Sequence, residues 1–555
     1  MKKLFYTVGV AIFLSCASTN KQNTLETPSA LSENKVAPKL VVGIVVDQMR
    51  YDYLTRFWNH YSENGFKRLV KGGFTCRNNH YNYVPTYTAP GHASIFTGTT
   101  PKNHGIISNS WYDKFEEIYI YCVSDAAYES VGTENNAGKM SPKRMVVTTI
   151  TDQNRLHTQM RGKTIGVAIK DRGAILPAGH TANAAYWFYG GEEGKFISST
   201  FYQNELPQWV KDFNDSGKVA SYLTTWETLK PISTYVESGA DNNNYEHGFI
   251  GKSTPTFPYD LTALSKENGN YDILKTTPFG NNITTDFAKA AIVGEQLGQD
   301  DITDFLTLSY SSPDYIGHNF GVNSKEVQDN YLRLDIEVAS LLSYLDEKVG
   351  VGNYTVFLTA DHGANQVPAY LNDYKIPAGY AKEKELSKKL KVFLGETYRV
   401  SDLVVNQSNN QLFFDEEKIK ENKIDRSNLQ RELKQFLISQ PEIYKVYTRE
   451  ELEENSSNDK IKRLVQFGFS QKQSGDVVYL DFPAYVSYPE KGSTHGSSFN
   501  YDTQVPLIFY GKNINQGETY DRTEIIDIAP TISAMLGIAF PNASTGKVIS
   551  EVINK

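Results

Sequence analysis

Cysteine is scarce: the 555-residue chain has three, Cys16, Cys76 and Cys122. So few thiols exclude a disulfide framework, and the two in the body of the chain cannot form a thiolate zinc cage. Whether Cys76 and Cys122 pair stays open, because sequence spacing does not show that their Cβ atoms approach. A basic surplus is also missing. The net charge of −8 argues against nucleic acid as a partner, since phosphate-backbone binders are usually basic. That acidic total says nothing about one small site, where a few cations reverse the local field. No repeat period stands out.

What is present reads as an exported globular protein. Hydrophobic residues make up 40% and charged residues 22%, so a core is expected rather than disorder. The opening stretch MKKLFYTVGVAIFLSCAST has two lysines, a short apolar run and small residues at Ser15 and Cys16. It is too short and badly flanked for a spanning helix and fits a secretory signal. The segment before Cys16 resembles a bacterial lipoprotein cleavage box, which predicts a lipid anchor on Cys16. Residues 1–16 are therefore expected to be the signal, 17–37 a polar tether, and 38–555 the catalytic body. The expected location is the periplasm or the outer membrane.

Within the body, KLVVGIVVD (39–47) is an apolar, β-branched run ending in an acid, the pattern of a buried parallel strand. TIGVAIKDR (164–172), DFLTLSYSSPD (304–314), YTVFLTADHG (354–363) and TQVPLIFYG (503–511) read similarly. Helical spacing appears at 323–349, and 525–538 predicts a helix entered through Pro530. The expected fold class is α/β, a mostly parallel sheet flanked by helices, with long folded inserts at about 185–300 and 365–490. In such a sheet ligands gather at the carboxyl ends of strands, where several of these runs end in Asp, His, Lys or Arg.

Asp47 ends the first strand, and Asp361 and His362 end another. Asp314 and His318 stand four apart in DYIGH, with Gly317 expected to loosen the backbone between them. His495 lies in a loop of small residues, KGSTHGS. Mixed carboxylate and imidazole ligands suit zinc, whereas six oxygens would suit magnesium or calcium. Each residue alone also reads as a turn, a helix cap or a satisfied polar group. His80, His92, His104 and His180 show no ligand pattern and read as structural.

Taken in order, VVD (45–47), TAPGH (88–92), DYIGH (314–318), ADHG (360–363), STHG (493–496) and DIAPT (527–531) resemble the alkaline phosphatase superfamily. The resemblance spans almost the whole body. It implies two zinc ions per chain, one held by Asp47, Asp361, His362 and the nucleophile's oxygen, the other by Asp314, His318 and His495. It also places the nucleophile at Thr88, four residues before His92, where Thr86 does not fit. A helix beginning near Pro90 would turn its free N–H groups toward phosphate. TAPGH lacks the nucleophile and the arginine of the sulfatase branch. Asn109 in GIISNSW is shared with the diesterase and nucleotide pyrophosphatase branch, which stays open as the alternative.

Lys170 and Arg172 bear on that choice. Two apart on a strand they would face the same way and meet two non-bridging oxygens of a monoester dianion. A diester replaces one of those oxygens with a second ester group. The K-x-R pair resembles that of single-chain, phosphate-irrepressible alkaline phosphatases of flavobacteria-like bacteria, in which the lysine stands where other members use magnesium. The implied activity is hydrolysis of small phosphate monoesters through phosphothreonine, by a chain expected to be monomeric.

Overall fold

The computed structural model describes Met1, residues 36–454 and residues 457–554. Residues 2–16 of the expected signal, Cys16 among them, and nearly all of the expected tether lie outside the described residues. The first strand, β1 (Leu40–Val46), is LVVGIVV, and all seven residues are buried. A run that is apolar on both faces can only sit inside a sheet covered on both sides. It has β7 (Asp304–Tyr310) on one side and β8 (Tyr354–Thr359) on the other, both parallel to it. Beyond β7 come β4 (Thr164–Ala168) and β5 (Ala184–Tyr189), also parallel.

Ten strands complete the sheet in the order β14-β2-β13-β8-β1-β7-β4-β5-β6-β3. Here β2 is Phe74–His80, β3 Ser130–Val131, β6 Lys195–Ser199, β13 Leu507–Gly511 and β14 Gly517–Glu524. The five central strands are parallel, so they end on one edge. Asp47, Lys170, Ser311 and Asp361 follow within two residues of four of those ends.

Two expectations about strands need correction. The 503–511 run does not join the parallel set: β13 is antiparallel to β8. The chain enters β13 from the loop holding His495, already at the carboxyl edge, and a strand leaving that edge must run the other way. The 164–172 strand stops at Ala168, and helix α2 (Asp171–Ala178) begins three residues later. Lys170 and Arg172 therefore flank a helix start, and the alternation argument for their shared direction does not apply.

The segment 185–300 is only partly an excursion, because β5 and β6 belong to the main sheet and helix α3 (Phe279–Gly294) packs against β4 and β7. The later segment builds its own antiparallel sheet, β9-β10-β12-β11, from Val404–Ser408, Gln411–Phe414, Val477–Asp481 and Ile443–Thr448 respectively. Leu394, Leu433 and Val477 bury its separate core. Helix α5 (Lys325–Leu345) is capped by Ser324, whose hydroxyl accepts from Val327 N–H. Helix α6 (Ile528–Leu536) takes in Pro530 at its third position and stops at Gly537, which adopts φ 67°. Cys76 and Cys122 are buried free thiols in different cores, so no disulfide joins them.

Candidate active site

The carboxyl edge gathers two groups of potential ligands. Asp47, Asp361 and His362 form one, with a ligand atom of each within 4.8 Å of the others. Asp314, His318 and His495 form the second by the same measure. In the first, His362 Nε2 lies 3.6 Å from Asp47 Oδ1 and 3.5 Å from Asp361 Oδ2. In the second, Asp314 Oδ1 lies 3.2 Å from His318 Nε2 and 3.6 Å from His495 Nε2. The His362 and His495 rings stack at 3.4 Å between centroids, which brings the two groups together.

All three imidazoles use Nδ1 against a backbone carbonyl. His318 Nδ1 donates to Ser493 O at 2.7 Å, His495 to Thr86 O at 2.7 Å and His362 to Gly363 O at 2.9 Å. That fixes the tautomer and leaves each Nε2 a lone pair facing carboxylates, the arrangement in which histidines hold a metal. Asp47 Oδ1 and Asp361 Oδ2 are buried and accept no hydrogen bond from the described residues. Burial, reinforced by Asp314, pushes the Asp47 carboxyl up to about 6. Burial, and then Asp47, lifts Asp361 well above its ordinary value. Burial holds His495 down to about 3 and His362 well below its ordinary range, so both stay neutral. At His318 burial is outweighed by the Asp314 carboxylate, which raises it. Three carboxyl groups and three imidazole Nε2 atoms offer the donors for two divalent cations. The mixed N/O donor set suits zinc.

Helix α1 (Thr88–Thr97) starts between these groups, and every residue in it is buried. Thr88 is its first residue and Tyr87 before it is extended, so the hydroxyl emerges at the positive end of the helix. Pro90, at the third position, lacks an N–H only where no helical partner exists for one. Thr88 Oγ1 lies 3.5 Å from His362 Nε2 and 3.5 Å from Lys170 Nζ. A Cβ on Gly91 would fall 2.4 Å from Asp361 O and 2.8 Å from Asp361 Cβ, so glycine lets the helix touch a ligand. His92, read as structural, locks the same turn: Nδ1 meets Thr88 O at 2.9 Å and Nε2 meets Ser309 Oγ at 2.9 Å. Asn109 Oδ1 accepts from Ala89 N–H at 2.8 Å, which leaves its NH2 as the available donor beside Thr88.

Lys170 Nζ lies 2.5 Å from Asp314 Oδ2 and 2.7 Å from Asp47 Oδ2, bridging one carboxylate of each group. Arg172 Nη1 donates to Tyr121 Oη at 3.0 Å, and its buried Nε donates to no acceptor among the described residues. Tyr121 in turn donates to Asp171 Oδ1.

Gln48 has no signal in the sequence reading. It is buried at φ 64°, a conformation that side-chain-bearing residues seldom adopt. Its N–H donates to Asp361 Oδ1 at 3.1 Å and its carboxamide to Asp314 Oδ1 at 2.7 Å, so one residue ties the two groups. Gly317 serves that contact: α4 (Ser312–Phe320) is helical through it, and a Cβ there would sit 1.8 Å from Gln48 Oε1. Its role is space rather than backbone looseness. His80, His104 and His180 stand outside both groups.

Comparison with known proteins identifies the family and the fold. The profile of the type I phosphodiesterase / nucleotide pyrophosphatase family matches residues 41–503. A protein of Myroides odoratus named calcium-transporting ATPase is 46% identical over 94% of this chain and 96% of its own. Alkaline phosphatase PafA of Elizabethkingia meningoseptica is 45% identical over 93% of this chain and 95% of its own. A crystal structure of PafA superimposes with a TM-score of 0.90 at 44% identity, covering 93% of this chain and 99% of that one. The chain thus belongs to the type I phosphodiesterase / nucleotide pyrophosphatase family of the alkaline phosphatase superfamily, and its fold is that of the PafA alkaline phosphatase.

Proposed function

We propose that the protein is an alkaline phosphatase that hydrolyses phosphate monoesters with two zinc ions per chain and Thr88 as nucleophile. The observation that carries this reading is the position of Thr88 Oγ1, at 3.5 Å from both His362 Nε2 and Lys170 Nζ at the start of a buried helix. Asp47, Asp361 and His362 would hold one zinc with Thr88, and Asp314, His318 and His495 the other. When bound, the ions favour the ionised hydroxyl and offset charge on the entering and leaving oxygens.

The Thr88 oxygen attacks phosphorus in line, forming the Thr88 O–P bond as the ester O–P bond breaks. The departing alkoxide takes a proton from water. Water then attacks the phosphothreonine, releasing inorganic phosphate and restoring the hydroxyl. Helix α1 directs backbone N–H groups at the non-bridging oxygens, and the Asn109 NH2 and Arg172 Nε supply side-chain donors. Lys170, held between Asp47 and Asp314, adds a fixed positive charge. These contacts address phosphate rather than the alcohol. ATP hydrolysis is also phosphoryl transfer to water, so the name of the Myroides relative falls within the same chemistry. Export with a lipid anchor at Cys16, and a monomeric state, belong to this proposal and rest on the sequence.

The test is kcat/KM of the zinc-loaded protein on p-nitrophenyl phosphate and on bis-p-nitrophenyl phosphate, with a chelated control. A strong preference for the monoester that disappears with the metal is expected. Preference for the diester would favour the alternative, a nucleotide pyrophosphatase/phosphodiesterase, on the same zinc and threonine.

A further inference from the structure

A cavity of about 400 Å³ opens beside the second ligand group, between the sheet of the later insert and the loop carrying His495. Tyr87, the residue before Thr88, forms part of its wall together with His495, and their rings meet edge to face at 5.6 Å. His495 thus borders both this cavity and the second ligand group, the side on which a phosphate ester's alcohol would leave.

Two features set the chemistry of this space. Tyr87, Tyr479, Phe482, Tyr485 and Phe499 give it aromatic walls. Its charged lining is acidic: Glu383, Asp481 and Asp502 contribute, and no lysine or arginine among the described residues does. Several lining residues also carry buried polar atoms that no described residue pairs with: Asp481 Oδ1, Asp502 Oδ1, Gln407 Oε1, Ser498 Oγ and Asn365 Nδ2. Asp502 and Asn365 are almost wholly buried. Most of these atoms are acceptors. Burial pushes Asp481 and Asp502 each up to about 7, so both are ionised in alkaline solution.

We infer that this cavity receives the leaving group and selects aromatic alcohols bearing an ammonium group over those bearing a carboxylate. The inference rests on the phosphatase reading and names its substrate class. Aromatic walls suit a ring, and the Glu383 and Asp481 oxygens, with no lysine or arginine among the lining residues, favour a cationic donor through hydrogen bonds and cation–π contact. A carboxylate in the same place would meet the like charge of Glu383 and Asp481.

The test compares tyramine phosphate with the phosphate of 3-(4-hydroxyphenyl)propionate, which share ring and tether but carry opposite terminal charges. The ammonium ester should have kcat/KM higher by roughly tenfold, about the effect of one favourable charge contact. Asp481→Asn, and separately Glu383→Gln, should bring that ratio toward one, a comparison made within each variant. Free tyramine should bind the wild type more tightly than Asp481→Asn by calorimetry. Hydrolysis of both esters with equal kcat/KM, unchanged by Asp481→Asn, overturns the inference and leaves the phosphatase reading intact. Charge-selective tyramine binding without hydrolysis of any monoester upholds the cavity and overturns the phosphatase reading.

Discussion

The two ligand groups are built differently. Asp47, Asp361 and His362 follow directly from two neighbouring parallel strands, and their side chains are wholly buried. Asp314 and His318 stand on a helix, His495 comes from a loop beyond the later insert, and the His318 side chain is 26% exposed. The sheet fixes the first group through its register. The second depends on a helix, a loop and Gln48 holding one another in place. A rigid, dry group beside a wetter, assembled one suits two tasks, steadying a nucleophile and letting an alcohol depart and water enter.

The largest effect should come from the residue between the groups. Thr88→Ala is expected to lower monoester turnover by at least about 1000-fold, a loss typical of removing a nucleophile. Metal analysis should still find both ions, while Thr86→Ala should cost only a few-fold. The reverse pattern would move the nucleophile to Thr86.

Next comes the bridge. Lys170→Ala combined with Arg172→Ala should lower kcat/KM for p-nitrophenyl phosphate by about 100-fold or more, the scale of lost transition-state donors. The loss on bis-p-nitrophenyl phosphate should be much smaller, and equal losses would refute a role in reading the dianion. Removing the metal should sharpen the contrast between the groups. Under a chelator, the ion at the second group is expected to leave about tenfold faster than the other, because partial exposure opens a route to solvent. Metal content followed over time would show two phases, and one phase would remove the distinction.

The smallest effect should lie outside both groups. Burial pushes the Glu326 carboxyl up to about 8 from its ordinary 4.5, and burial with Glu326 nearby pushes Glu246 up to about 10. Their folded values are raised, so the stability they contribute is fully present below about pH 4.5 and is lost as pH rises through 8 to 10. Glu326→Gln should therefore raise Tm at pH 9 by about 1–2 °C and change it little at pH 5. An equal shift at both pH values in thermal melts would assign the effect to packing instead.

How much the sequence showed follows the same division. A buried parallel strand announces itself as a β-branched run, and the acid ending it falls where ligands collect, so Asp47 and Asp361 were legible. Lys170 and Arg172 were found through the residues but misplaced on a strand, because GVAIKDR continues an apolar pattern past the point where the chain turns into a helix. The antiparallel course of 507–511 depends on where its preceding loop lies in space, which no local pattern encodes. Gln48 was invisible for a similar reason: its left-handed backbone and its contact across Gly317 are products of tertiary packing. The aromatic and acidic lining of the cavity joins residues of 479–502 to Tyr87 and Glu383, which lie far from them in the chain, each unremarkable alone.

The lateness of His495 has a consequence for biosynthesis. Strand 507–511 lies between 74–80 and 354–359 in the finished sheet, so that those two strands cannot be joined until residue 511 has been made. Emerging from the ribosome, the polypeptide can assemble its first set of ligands by residue 362, but not the second until residue 495. Order of synthesis alone therefore keeps the growing chain without its complete pair of ligand sets until residue 495 has been translated.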